Sequence, residues 1–349
     1  MSLPYRTRRR IQHISAVTLA VVLVLVVTWL CWVVWLERYV VYSDDGAKID
    51  FSLSAHELEG EVAVPPVAAE NISIYYNEGA DAIHVGNEMV QLNGYYIDSD
   101  MLQNDLSGVL EDVERLPSGT PVMIDMKGGY GSFFYSSNLP DALESSSVNV
   151  SNVEELITRL QRKGFYTIAR ISAFRDYYYG LNHVPSGLYM LNRAGLWADA
   201  GGCYWLDPTN SGTINWVSSI VMELREKGFN EVLLTDFAFP DSDKYIFNGD
   251  KNEALLNVVN TLMETCGNEK FVLSFSVSDP AFPLPEGRSR LYLEGVDPKS
   301  VGATAAQVKV TDPEVRLVFI AETNDTRFND YSVFRSIRAA QELEEQKTG

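Results

Sequence analysis

The chain has 349 residues, 46% of them apolar and 21% charged, which allows a full hydrophobic core in one large domain or two ordinary ones. A formal charge of -19 excludes a broad basic surface for nucleic acid or anionic lipid, and no nucleic-acid partner is expected. Three cysteines, Cys31, Cys203 and Cys266, are too few for a disulfide framework, although the last two could pair.

From the N-terminus, Arg6, Arg8, Arg9 and Arg10 precede an uncharged run of 23 residues, Ile14 to Leu36. As a helix this run reaches roughly 35 Å, enough to cross a hydrocarbon core. Trp29, Trp32 and Trp35 sit near its far end, where an indole keeps its ring apolar and its N–H wet. The cationic bias places residues 1–13 in the cytoplasm as a tail, 14–36 in the membrane as a single-pass anchor, and the remainder outside the cell membrane. A cleaved secretory signal would need a shorter apolar core ending in small residues, and none follow Leu36. Residues 37–70 carry scattered charge with Gly46, Gly60 and Pro65-Pro66 as punctuation, and read as a stalk with one strand.

Beyond residue 71 strand-length apolar runs alternate with helical patterns, which makes 71–349 a single β/α domain. The predicted strands are Leu92 to Asp98, Pro121 to Lys127, Phe165 to Ser172, Glu231 to Phe237, Phe271 to Val277, Ala306 to Val310 and Val315 to Ala321. The predicted helices include Asn152 to Lys163, with Val153, Leu156, Ile157 and Leu160 at helical spacing and Gly164 just past the end. Asn215 to Lys227, followed by Gly228, repeats the device. Strand, helix, glycine, strand is the pattern of βαβ units in a parallel sheet, and a TIM-like (β/α)8 barrel fits it best. The alternative is a doubly wound sheet, which lacks the Gly-rich phosphate loop of its dinucleotide-binding version.

In such a barrel the chemistry belongs at the C-terminal ends of the strands. There the sequence puts Asp98, Asp125 and Lys127 in VMIDMK, Arg170 in TIARIS and Asp236 in VLLTDF, with Ser276, Lys309 and Glu322 later. Carboxylates among apolar strand residues need a cation, a hydrogen-bond network or a ligand. They either satisfy one another or serve chemistry such as glycoside hydrolysis, in which one carboxylic acid protonates the leaving oxygen and a second carboxylate attacks or activates water. Phe174, Tyr177, Tyr178, Tyr179, Trp197, Tyr204 and Trp205 lie near these ends as core edge or sugar platform. His13, His56, His84 and His183 have no metal-ligand spacing, and no CxxC, GxSxG or GxxxxGK[ST] motif occurs, so no metal and no cofactor is expected.

The succession VMIDMK, KGFYTIARISAFRD, YWLDP and GFNEVLLTDFAFP resembles a glycosyl hydrolase domain family of bacterial cell-surface proteins, TIM barrels distantly related to amylase-type barrels. The likeness runs from about Val90 to Asp330. It implies a carbohydrate-active barrel in which Asp125, Lys127, Arg170, Asp207 and Asp236 occupy the family's polar positions. Asp236 and Asp125 are the implied catalytic carboxylates; Arg170, Lys127 and Asp207, joined by Trp205, Asp98 and Glu322 from the strand-end reading, make the expected substrate-binding set.

Two departures accompany it. Where the family reads Asp-Tyr-Ile/Val-Arg-Phe-Pro, this chain reads Asp236-Phe237-Ala238-Phe239-Pro240, one residue shorter and without the arginine. A tyrosine-rich segment ending in Pro-Ser-His is replaced by AAQVKVTD, and the chain stops after a predicted helix, Tyr331 to Gln346, with no evident last strand. The barrel is then incomplete, or Ile72 to Tyr76 closes it. The expectation is a membrane-anchored glycoside hydrolase acting on cell-wall or extracellular polysaccharide; the alternative is an inactive barrel that binds glycan or a protein partner. Oligomeric state is not legible.

Overall fold

The computed structural model describes residues 23–26, 28–29, 32, 40–43, 46–49 and 89–338. The chain divides into two compact units, Met1–Tyr75 and Tyr76–Gly349. In the first, the described residues among 23–32 are helical, and Val40–Ser43 pairs antiparallel with Gly46–Ile49, a two-stranded ribbon where one strand was expected. Among the described residues no helix is long and apolar enough to cross a membrane. Most of the expected anchor lies outside them, as does the Ile72 to Tyr76 segment.

The second unit is a closed parallel barrel. Its strands are β1 (Asn93–Ile97), β2 (Pro121–Lys127), β3 (Tyr166–Ser172), β4 (Glu231–Thr235), β5 (Val272–Ser276), β6 (Leu291–Glu294), β7 (Leu317–Ala321) and β8 (Ser332–Ser336). Each lies parallel to the next, and β8 returns to β1 through the register Val333↔Asn93 to Ser336↔Tyr96. The barrel is therefore complete. Its closing strand is the start of the segment expected to be helical from Tyr331. The strand expected at Ala306 to Val310 is instead the end of a helical turn and a loop, whose Val308 and Val310 pack against the core from outside the sheet.

The helices in order are α1 (Ser99–Asn104), α2 (Leu106–Arg115), α3 (Val150–Arg162), α4 (Tyr177–Asn182), α5 (Ser211–Glu226), α6 (Lys251–Cys266), α7 (Val301–Ala305) and α8 (Pro313–Arg316). Side-chain caps fix the starts of the long ones. Asn149 accepts from the Asn152 N–H, Asn210 from Gly212 and Thr213, and Asp250 from Asn252 and Glu253. No described helix separates β5 from β6.

Alternation along the strands sorts side chains into two layers. Outward residues such as Val122, Ile124, Ala169, Ile171, Val232 and Leu234 join Leu156, Leu160, Val217 and Val259 of the helices in the main core. Inward residues Met123, Ile168, Leu233, Tyr292, Val318 and Phe334 fill the barrel's waist. Below the waist, Arg290 pairs with Glu231 with both side chains essentially buried. Glu231 also accepts from Tyr166 (2.8 Å), Tyr292 (2.8 Å) and Ser274 (2.6 Å), so both carboxylate oxygens are saturated. Burial works against the Arg290 charge, but Glu231, Tyr166 and Tyr292 outweigh it and hold its pKa above the ordinary arginine value. This closed floor leaves the opposite end, where the strands finish, as the open one.

Candidate active site at the barrel mouth

A cavity of about 460 Å³ opens at the C-terminal ends of β2 to β6, a size suited to a small organic ligand. Asp125 and Lys127 of β2, Arg170 and Ser172 of β3, Asp236 just past β4, Ser276 of β5 and Glu294 of β6 line it, with Trp205 from the long loop after β3. Five residues read from the sequence as site residues, Asp125, Lys127, Arg170, Trp205 and Asp236, are thus brought together.

The two aspartates differ in their surroundings. Asp125 is 8% exposed and surrounded by donors: Tyr96 Oη at 2.9 Å from both oxygens, the Ser99 N–H at 2.9 Å and Arg170 at 3.0 Å. Arg170 spans two carboxylates, reaching Glu294 at 3.2 Å through its other terminal nitrogen. Burial would lower the Arg170 pKa, but Asp125, Tyr96 and Glu294 outweigh it and keep the guanidinium firmly charged. Its Nε has no hydrogen-bond partner.

Asp236 lies in the left-handed region, at φ 49°, an uncommon conformation for a residue with a side chain. It accepts a hydrogen bond from Ser172 Oγ at 2.6 Å, and among the described residues no cation lies within ion-pairing distance of it. Glu294 was not identified from the sequence, because its four-residue strand follows β5 without a helix. Its only signal is the alternation of Arg290, Tyr292 and Glu294, which puts all three on the inward face.

The remaining candidates have local partners. Lys127 Nζ is buried against Asp176 at 2.9 Å and donates to the Ser172 carbonyl at 2.9 Å; Asp176 in turn caps α4 and accepts from Trp216. Asp98 is the N-cap of α1. Asp207 folds onto the Thr209 amide and hydroxyl and lines a separate cleft with Arg193. Glu322 is exposed one residue past β7, and Lys309 is exposed in the loop before α8; neither lines the cavity. Phe174 and Tyr179 are core residues, and Cys203 and Cys266 are separate buried thiols.

Among curated proteins none matches this chain. Among solved structures, the galactosidase domain of the α-galactosidase–sucrose kinase AgaSK is similar with a TM-score of 0.52 and 12% identity, over 74% of this chain and 40% of that one. A hypothetical protein from Ruminiclostridium thermocellum has a TM-score of 0.45 at 23% identity, over 52% of this chain and 96% of that one. The α-galactosidase TtGalA from Thermus thermophilus has a TM-score of 0.42 at 15% identity, over 73% of this chain and 48% of that one. The first of these likenesses supports the barrel fold. Residues 105–276 match the family described as "Putative glycosyl hydrolase domain". That segment, where the chain matches this glycosyl hydrolase domain family, carries β2 to β5 and the strand-end residues Asp125, Arg170 and Asp236.

Proposed function

We propose that the protein is a membrane-tethered glycoside hydrolase acting on cell-wall or extracellular polysaccharide, with Asp236 and Glu294 as its two working carboxylates. The observation that carries this reading is the pair of carboxylates at the ends of β4 and β6 lining one open cavity, Asp236 bonded by the Ser172 hydroxyl and Glu294 by Arg170 and the Ser276 hydroxyl. Glycoside hydrolysis needs that pair: one protonates the departing oxygen while the other attacks the anomeric carbon or activates water. Asp125, saturated by its donors, acts as a positioning residue that holds Arg170, which in turn orients Glu294. Trp205 supplies an aromatic wall for a pyranose ring. Lys127 supports the mouth through its pair with Asp176.

The absence of an arginine after Asp236 and the saturation of Asp125 favour a second reading, a barrel that binds glycan without cleaving it. The test is a screen of the full chain in mild detergent against linear oligosaccharides of one to six residues: β-1,4-linked N-acetylglucosamine, β-1,4-linked glucose, α-1,4-linked glucose and β-1,4-linked mannose. Hydrolysis that Asp236→Asn abolishes while the variant keeps its circular dichroism spectrum supports the enzyme. Binding without turnover, unchanged by Asp236→Asn, replaces it with the second reading.

A further inference from the structure

The sequence Gly128-Gly129-Tyr130-Gly131 directly follows β2, and the first two of these glycines line the cavity. Tyr130 projects from this loop with 52% of its surface exposed, an unusual amount for an aromatic side chain held on several sides. Its hydroxyl donates to the Gly201 carbonyl at 2.6 Å, and the Arg175 guanidinium carbon lies 5.5 Å from its ring centre. Arg175 is itself fixed by Asp199 at 2.6 Å, and Asp199 also accepts from the indole of Trp205 at 3.1 Å. A continuous set of contacts thus connects the cavity wall to Tyr130.

The glycines make this approach feasible. A Cβ on Gly129 would collide with Arg175, and one on Gly131 with Asp176, while Gly131 holds φ 84°. Beside Tyr130, the exposed ring of Tyr177 lies 6.3 Å away and stacks on Tyr204 with centroids 5.1 Å apart and planes 5° from parallel. Backbone bonds from Tyr177 to Gly129 and from Tyr178 to Tyr130 tie the two loops together. Two rings are therefore pre-oriented at the rim with apolar surface left in water. Among the described residues the ring surface left in water has no partner that buries it, and it suits stacking on the apolar face of a sugar.

We infer that Tyr130 and Tyr177 form an outer subsite for a pyranose ring, so that the ligand of this protein is a glycan chain extending from the cavity over the rim beyond Trp205. This rests on the carbohydrate-acting reading above and specifies its substrate class: an oligosaccharide or polysaccharide, not a single sugar with a small leaving group.

The test measures KM or Kd of the full chain for the oligosaccharide series of one to six residues. The wild type should favour the longest members over the shortest by about tenfold or more, the scale of one well-placed aromatic contact. Tyr130→Ala and Tyr177→Ala should each reduce that preference severalfold. Tyr130→Phe, which keeps the ring and loses only the bond to Gly201, should retain it. Circular dichroism establishes that each variant is folded, and Tyr177→Ala leaves the ties of Tyr130 to Gly201 and Arg175 in place should Tyr130→Ala unfold. A length preference untouched by both alanine variants overturns the subsite while leaving the carbohydrate reading intact. A wild type that engages no oligosaccharide of any length overturns both.

Discussion

Asp125 and Asp236 have the same sequence signature, an aspartate at the end of an apolar strand, and only their neighbours separate them. The donors that surround Asp125 come from β1, α1 and β3, and no periodicity in the sequence announces that three elements converge there. Asp125→Asn should cost about 2 to 3 kcal/mol in urea unfolding, below the cost of breaking a fully buried pair because Arg170 keeps Glu294. A change below about 0.5 kcal/mol would show that the pair does not hold the mouth. Asp199 offers a pH test of the rim. Despite the opposing effect of burial, hydrogen bonds from Arg175, Cys203 and Trp205 lower its pKa to about 2, beneath the usual carboxylate range. Its folded value lies below its unfolded one, so its contribution is fully present above about pH 4 and lost as pH falls towards about 2. The Tm difference between wild type and Asp199→Asn should therefore narrow across that window; a difference that is constant or widens contradicts the assignment.

Among the elements, six of the seven predicted strands, those that became β1 to β5 and β7, match the structure to within two residues, because each is a strand-length apolar run. The run Val315 to Ala321 ends in β7, but its first two residues belong to α8, whose Pro313 opens that short helix. Two strands were hidden. β6 is four residues long, and Arg290 and Glu294 bracket its three apolar residues, so the run is too short to stand out. β8 runs into a segment rich in Ala, Glu and Gln whose helical pattern masks it. The error at Ala306 to Val310 has the reverse cause, since alternating valines read as a strand but pack under a loop. The floor network joins β3, β4 and β5 to Arg290 and β6, and it should matter to stability well beyond any single hydrophobic contact. Arg290→Met leaves Glu231 buried without its cation and should cost about 3 to 5 kcal/mol, or a fall in Tm on the order of 10 °C. Differential scanning fluorimetry checks this, and a Tm unchanged within 2 °C, about the shift from 1 kcal/mol or less, would show that the hydroxyl donors alone suffice.

For the whole molecule, the barrel class was readable from the alternation of elements, whereas its closure was not, because closure depends on where the last strand lands beside the first. The membrane tether is argued from Arg6 to Arg10 and the uncharged run 14–36. After alkaline carbonate extraction the full chain should stay with the membrane pellet and a chain lacking residues 1–36 should appear in the supernatant. A full chain found in the supernatant would remove the tether. The central claim is chemical: the mouth cleaves glycans through Asp236 and Glu294, with Asp125 in support. It is tested most directly by kcat/KM for the best oligosaccharide substrate in three folded variants, Asp236→Asn, Glu294→Gln and Asp125→Asn. The account predicts losses of about 10²- to 10⁴-fold for the first two and a markedly smaller loss for the third. Full activity in either of the first two, or a greater loss in Asp125→Asn than in Glu294→Gln, would contradict it.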